Sequence, residues 1–477
     1  MALRNDRARR RRTRLRLAAL ICALAAVAVA VSALRAPPAE TAAAVSTPTP
    51  KLRTPAWSPR RVPGVFVPLA QQAARKRASA ALTQRLTRII AGTHACVAVD
   101  EGGAPLVRIG DGLALAPAST MKLLTATAAL ARLGAGSRFT TWVVQSPSGD
   151  LVVVGGGDPL LATDAFIASR HAQFRFAGAP YTRLAALADA IVAAGVHHVS
   201  GALVVDDHRD DGVRFLPAWK PIYATEGDVG ALGALSVDGG EASATSTLPA
   251  ADPALRTGQE LAALLAARGV TIAGGIRRGV AGATWRSIAS VKSAPLGAIV
   301  EEMLTGSDNY TAEMLVRAIA AASEPTAPAS TANGVRFIAH TLPGLGIFTG
   351  GLDMRDGSGL APADRVPCHM LVQVIALSRT ARFAAIDRGL PVAGRTGTLL
   401  PRFQGTTLAG RLRAKTGSLD GVVGLAGTVD DPARPQFAFL ANGNFSEAAG
   451  LTLSDAVGRA IGGAAPVQAP AGLVPAP

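Results

Sequence analysis

The stretch Pro117-Ala118-Ser119-Thr120-Met121-Lys122-Leu123-Leu124 decides how this chain is read. It runs on in good helix formers to Leu133 and stops at Gly134, so it reads as the opening of a helix. Ser119 and Lys122 lie three residues apart, share a helical face and can touch. A serine hydroxyl is a poor nucleophile unaided, and a neutral lysine amine beside it takes its proton. Burial and neighbouring cations favour that neutral form. Alone the pattern is weak, because S-x-x-K arises by chance about once in a chain of this length and ordinary composition.

Two further motifs follow. Ser307-Asp308-Asn309 sits between helical stretches at about 295–304 and 309–322. Ser307 is suited to relay a proton there, and Asn309 to donate a hydrogen bond to a substrate carbonyl. The same residues make a good helix N-cap, and the two readings are compatible. Lys415-Thr416-Gly417, followed by Ser418, falls on a strand-like segment. Lys415 would supply positive charge and Thr416 and Ser418 hydroxyls. Gly417 would remove the side chain that blocks an extended peptide along the strand edge. Arg395-Thr396-Gly397 imitates this motif, lacks the lysine and reads as a loop.

Composition narrows the field. Of 477 residues 49% are hydrophobic and 17% charged, which excludes wholesale disorder, a collagen-like repeat and a disulfide miniprotein. The net charge of +15 is local: residues 1–61 hold 13 bases and 2 acids, leaving 35 and 31 in the rest. Nucleic acid is therefore not the expected partner. Seven arginines from Arg7 to Arg16 precede an eighteen-residue apolar run, Leu17–Leu34. That is about the minimum for a membrane span, with the positive end in the cytoplasm and the remainder exported. Segment 1–34 is read as an N-terminal anchor in the cytoplasmic membrane, with a long cleaved signal as the competing reading. Residues 35–68 form a Pro/Ala-rich linker and 463–477 a disordered tail. Cys96 and Cys368 leave open either one disulfide in an oxidising compartment or two free thiols. The seven histidines show no HExxH, and no metal or cofactor is expected.

Within the folded part, a helix is expected over 69–91 and a hairpin from Ala95–Val99 and Leu106–Ile109. Between 140 and 290 short strands (Thr140–Gln145, Leu151–Val154, Gly201–Val205, Val270–Ala273) alternate with helices (Thr182–Ala194, Gly258–Arg268). This texture predicts an insertion packed beside the catalytic part and remote from its chemistry. Three strands follow (Arg411–Ser418, Val422–Val429, Gln436–Asn442), and a helix capped by Ser446 closes the fold.

S-x-x-K, then S-D-N, then K-T-G is the combination found in penicillin-binding proteins and class A β-lactamases. Ser119 and Ser307 are 188 residues apart, more than a simple β-lactamase-like domain needs. In this the chain resembles the class C low-molecular-mass penicillin-binding proteins, the D-alanyl-D-alanine carboxypeptidase/endopeptidase family, over roughly residues 70–462. Gly155–Pro159, Val204–Asp207, Asp356–Leu360, Leu390–Gly394, Gly397–Thr406 and Ala414–Leu419 are similar to that family too.

The resemblance implies an α/β (α+β) fold. A penicillin-binding-protein/β-lactamase-like catalytic domain, an antiparallel sheet flanked by helices, would span 69–139 and 291–462. A mixed α/β domain would be inserted at 140–290. It also implies a serine DD-peptidase acting on peptidoglycan stem peptides and acylated by β-lactam antibiotics. Ser119 would attack the carbonyl between two D-alanines, with Lys122 as general base. Ser307 and Lys415 would pass a proton to the leaving D-alanine, and the backbone N–H groups of Ser119 and Ser418 would hold the oxyanion. Asn309 would hold the acylated peptide's amide, and Thr416 and Ser418 the terminal carboxylate. Two rivals remain. A class A β-lactamase needs a glutamate after S-D-N, and between Met314 and Phe445 only Glu324 exists, beside a proline. A catalytically silent cell-wall-binding protein would not need all three motifs.

Overall fold

The computed structural model describes residues 63–431 and 434–464. The apolar run Leu17–Leu34, most of the linker and the tail from 465 lie outside the described residues. Among the described residues no helix is long and apolar enough to cross a membrane.

A long helix, α1 (Pro63–Ile89), leads into the hairpin β1 (His94–Glu101) and β2 (Ala104–Ile109). The chain then makes a single 3₁₀ turn, Ala118–Met121, and enters α2 (Lys122–Leu133), which ends at Gly134 with a φ of 84°. Ser119 is thus on the tight turn and not in the α-helix expected from the sequence. The contact with Lys122 survives because three residues make one 3₁₀ turn, which brings positions i and i+3 into line.

The insertion contains β3 (Thr140–Gln145), β4 (Leu151–Val154), α3 (Leu184–Ala193), β5 (Leu203–Asp206), α4 (Pro253–Ala266), β6 (Ile276–Arg278) and β7 (Arg286–Lys292). Helix α4 starts five residues before its expected position, because Asp252 caps it by accepting from Leu255 N–H and Pro253 fits its first turn. The strand expected at Val270–Ala273 is only Thr271–Ile272. The sheet runs β6-β5-β4-β3-β7, parallel from β6 to β4 and antiparallel beyond. Val153, Leu203 and Val205 bury against Leu187, Ile191 and Leu261, which gives this part its own core.

Next come α5 (Leu296–Glu302), α6 (Asn309–Ser323), α7 (Thr331–Thr341) and α8 (Cys368–Leu377). The chain ends in β8 (Leu412–Leu419), β9 (Val422–Val429), β10 (Gln436–Asn442) and α9 (Glu447–Gly462). These strands complete an antiparallel sheet of order β8-β9-β10-β1-β2, with His94 opposite Asn442 and Leu412 opposite Val429. Alternation along β1 divides its side chains between two layers. Val97 and Val99 pack towards α1 and α9 with Leu86, Phe437 and Val457. Cys96 and Ala98 pack towards α2, α6 and α8 with Leu123, Leu315 and Leu371. Cys96 and Cys368 therefore face each other across one layer, 5.9 Å apart at Cα, and form a disulfide. This settles the choice that the sequence leaves open.

Candidate active site

Three elements converge on one cleft. The 3₁₀ turn brings Ser119, the junction between α5 and α6 brings Ser307 and Asn309, and β8 brings Lys415, Thr416 and Ser418. The space they enclose is about 840 Å³ and is lined by Ser119, Ser307, Asn309, Thr416 and Ser418. Backbone strain marks two of these positions. Ala118, just before Ser119, has φ 45°, and Ser307 has φ 63° where a π-helical turn meets α6. Non-glycine residues held in the left-handed region cost of order 1–3 kcal/mol each and collect at functional sites. Asp308 accepts from Thr311 N–H and caps α6, so the S-D-N segment is a helix start as well as part of the cleft.

Lys122 is fully buried. Its Nζ lies 2.9 Å from Ser119 Oγ, 2.6 Å from Asn309 Oδ1 and 2.8 Å from the Ser358 carbonyl. Burial pulls its pKa down to about 8, against the opposing pull of Asp356, Glu313 and Asp308. A neutral amine has two hydrogens and one lone pair. The hydrogens match Asn309 and Ser358, and the lone pair is left for the Ser119 hydroxyl.

Lys415 is also fully buried, and its Nζ donates to Ser307 Oγ and to the Thr416 carbonyl, each at 2.9 Å. Burial pushes its pKa well below the usual lysine value, and the charges of Lys122 and Arg175 push the same way. Two lysines buried in one dry site disfavour each other's charge.

Gly417 also has a packing role. A Cβ there would stand 2.7 Å from the Pro117 carbonyl, so the missing side chain lets β8 pass against the Ser119 turn. Thr416 Oγ1 lies 2.8 Å from Thr398 Oγ1, and Ser418 Oγ donates to Glu447 Oε1 at 3.0 Å.

The insertion is not remote from the chemistry, contrary to the expectation from its texture. Asn309 Nδ2 donates to the Asp228 carbonyl at 2.8 Å, and Arg175 donates twice to the Gly306 carbonyl. Segment 215–232 leaves the insertion sheet, and Trp219, Tyr223 and Leu232 pack on Tyr310, Met314 and Leu360. Trp219 Nε1 also donates to Asp356 at 2.8 Å.

Beneath Lys122 lies a carboxylate cluster that motif reading missed. Glu313 accepts from Gly357 and Ser358 N–H, and Asp356 from Gly359 and Ala361 N–H. These bonds hold the loop that presents the Ser358 carbonyl to Lys122. Burial and the Asp356 charge raise the Glu313 and Asp364 carboxyls above the usual carboxylate range. The stretch Asp356–Leu360 was visible as a family-like segment, but Glu313 inside α6 had no sequence signal. Thr398 lies in the family-like stretch Gly397–Thr406, next to Arg395-Thr396-Gly397, which is irregular as expected and leads into a short 3₁₀ turn. Glu324, the one glutamate that could have suggested a class A β-lactamase, caps the far end of α6 and bonds Asn333, outside the cleft.

The D-Ala-D-Ala carboxypeptidase 3 (S13) family matches residues 78–250 and 233–461. Carboxypeptidase DacB of Mycolicibacterium smegmatis is 33% identical over 75% of this chain and 77% of its own length. A D-alanyl-D-alanine carboxypeptidase of Actinomadura is 32% identical over 79% of this chain and 82% of its own. Among solved structures, penicillin-binding protein 4 of Haemophilus influenzae shares the fold with a TM-score of 0.65 at 21% identity, over 79% of this chain and 97% of that one.

Proposed function

The chain belongs to the D-Ala-D-Ala carboxypeptidase 3 (S13) family and is a D-Ala-D-Ala carboxypeptidase, and from that premise we propose that Ser119 is its acylating nucleophile and Lys122 the base that activates it. The observation that carries this reading is the 2.9 Å contact between a buried, pKa-lowered lysine amine and the serine hydroxyl. Ser119 Oγ gives its proton to Lys122 and attacks the carbonyl between the two D-alanines. The oxyanion forms against the backbone N–H groups of Ser119 and Ser418. Ser307 passes its hydroxyl proton to the leaving amine and takes one in turn from the Lys415 ammonium, and D-alanine departs. Asn309 keeps one amide hydrogen beyond its bond to Asp228 and offers it to the acyl peptide's carbonyl. Water then releases the acyl-enzyme.

A cross-linked peptide differs only in the amine that leaves, so the same steps support DD-endopeptidase action as a second activity. The Arg-rich segment and apolar run before residue 35 support a location outside the cytoplasmic membrane, held by an N-terminal anchor. Labelling with a fluorescent penicillin tests the central assignment. Wild type is expected to label stoichiometrically and Ser119→Ala not at all while keeping its melting temperature. Equal labelling of the variant would overturn it. Digestion of purified cross-linked muropeptides reads the endopeptidase activity, and retention in membranes after an alkaline wash reads the anchor.

A further inference from the structure

Both lysines of the site are fully buried and committed to protein partners, yet the substrate class ends in a carboxylate. The cleft holds three other cations. Arg402 is committed to Asp455 and Ser454 at 2.5–2.9 Å. Lys220 lines the cleft from the 215–232 segment, and among the described residues no hydrogen bond ties it to the Ser307 junction. Arg175, from the insertion, remains.

Its Nε and Nη2 donate to the Gly306 carbonyl at 3.0 and 2.6 Å, which anchors the guanidinium against the residue before Ser307. Ser307 Oγ is 2.9 Å from Lys415 Nζ, and Lys415 precedes Thr416 on β8. Arg175 is therefore tied to the Ser307–Lys415 side of the cleft, where the leaving residue departs. A guanidinium carries five N–H groups, so three remain for a ligand. Among the described residues Arg175 makes no ion pair with a carboxylate: the nearby Asp308 spends one oxygen capping α6. Arg175 also lines the open cleft and is solvent-accessible. Meanwhile Ser418, one of the hydroxyls expected to hold the carboxylate, is turned towards Glu447.

The geometry points to Arg175 as the specificity-determining cation that receives the free α-carboxylate of the leaving residue, contributed by the insertion and not by any of the three motifs. This rests on the acyl-enzyme reading above. Forked N–H donors match a carboxylate in a way that a single hydroxyl does not. It also gives the insertion a chemical task, since the guanidinium is delivered by its 170–180 turn. A leaving residue without a free carboxylate, such as a C-terminal amide, would forgo this contact.

The test is the ratio of kcat/KM for an N-acetylated tripeptide ending in D-Ala-D-Ala to that for its C-terminal amide. Wild type is expected to favour the acid. In Arg175→Ala the ratio should fall about 10–100-fold, the range of a charge-assisted hydrogen bond, and Arg175→Lys should recover part of it. A ratio in Arg175→Ala within twofold of wild type overturns the inference. That holds even if both rates fall together, since an arginine that merely braces Gly306 would slow both substrates alike. A wild-type chain that hydrolyses neither peptide and takes no penicillin label overturns the underlying reading and the inference with it.

Discussion

With its amine pulled down to about 8 by burial, Lys122 is neutral in roughly a tenth of the molecules at pH 7. Acylation needs the neutral form, so its rate should rise about tenfold per pH unit below 8 and level off above. A solvated lysine would keep the rate climbing towards 10.5. Penicillin acylation measured from pH 6 to 10 distinguishes the two, and a rate still rising steeply at pH 9.5 would show that the base is not an amine with that lowered pKa. Lys415 is tested differently. Its Nζ–Ser307 contact is buried and charge-assisted in the protonated state, worth about 1.5–3 kcal/mol. Lys415→Ala should therefore slow acylation on the order of 10–100-fold. Lys415→Arg should not restore it, because a guanidinium is larger than the closed site allows and does not give up its proton. A loss within about twofold for Lys415→Ala, far short of that contact energy, would make Lys415 a bystander.

At the scale of elements, the site depends on β8 lying flush against the 3₁₀ turn. The turn can come this close because Gly417 has no Cβ: one there would meet the Pro117 carbonyl at 2.7 Å and Thr120 N at 3.2 Å. The opposite side of the turn is equally tight, since a Cβ at Gly359, whose φ is 84°, would overlap the Ala118 carbonyl. Gly417→Val should push the strand away from Ser119 and lower penicillin acylation by at least about tenfold, given how a misplacement near 1 Å affects a reacting pair. Far-UV circular dichroism should remain that of wild type. Acylation at the wild-type rate would show that the strand can shift without disturbing the nucleophile. The motifs were legible because they combine fixed residue types at short spacing. Why each glycine or serine stands where it does was not, since the reasons lie in neighbours hundreds of residues away.

At the scale of the molecule, the Cys96–Cys368 bridge joins β1 to the start of α8, with a sequence separation of 272 that encloses the whole insertion. Cross-links that close long loops restrict the unfolded chain most, and a native disulfide is typically worth about 2–4 kcal/mol. Replacing both cysteines by alanine should lower the melting temperature by several degrees, and a reducing agent should act on wild type but not on the variant. Identical melting curves for the two proteins would show that the bridge carries no stability.

From the sequence alone came the order of the three motifs, the antiparallel strands near the C-terminus, the existence of an insertion and the family likeness. All of these depend on local periodicity or on residue types at fixed spacing. What the insertion does was decided only by tertiary structure. Its strands β3, β4 and most of β5 follow from local alternation, but β6 and β7 do not, and nothing local announces that Arg175 would reach Gly306, that Asp228 would meet Asn309, or that Trp219 would bond Asp356. The pull on the lysine pKa was decided there too. A lysine in a motif reads as an ordinary cation, and only burial, with a second lysine and an arginine nearby, pushes the pKa of Lys415 well below its usual value. Desolvation is a property of everything packed around an atom, and no window of neighbouring residues contains it.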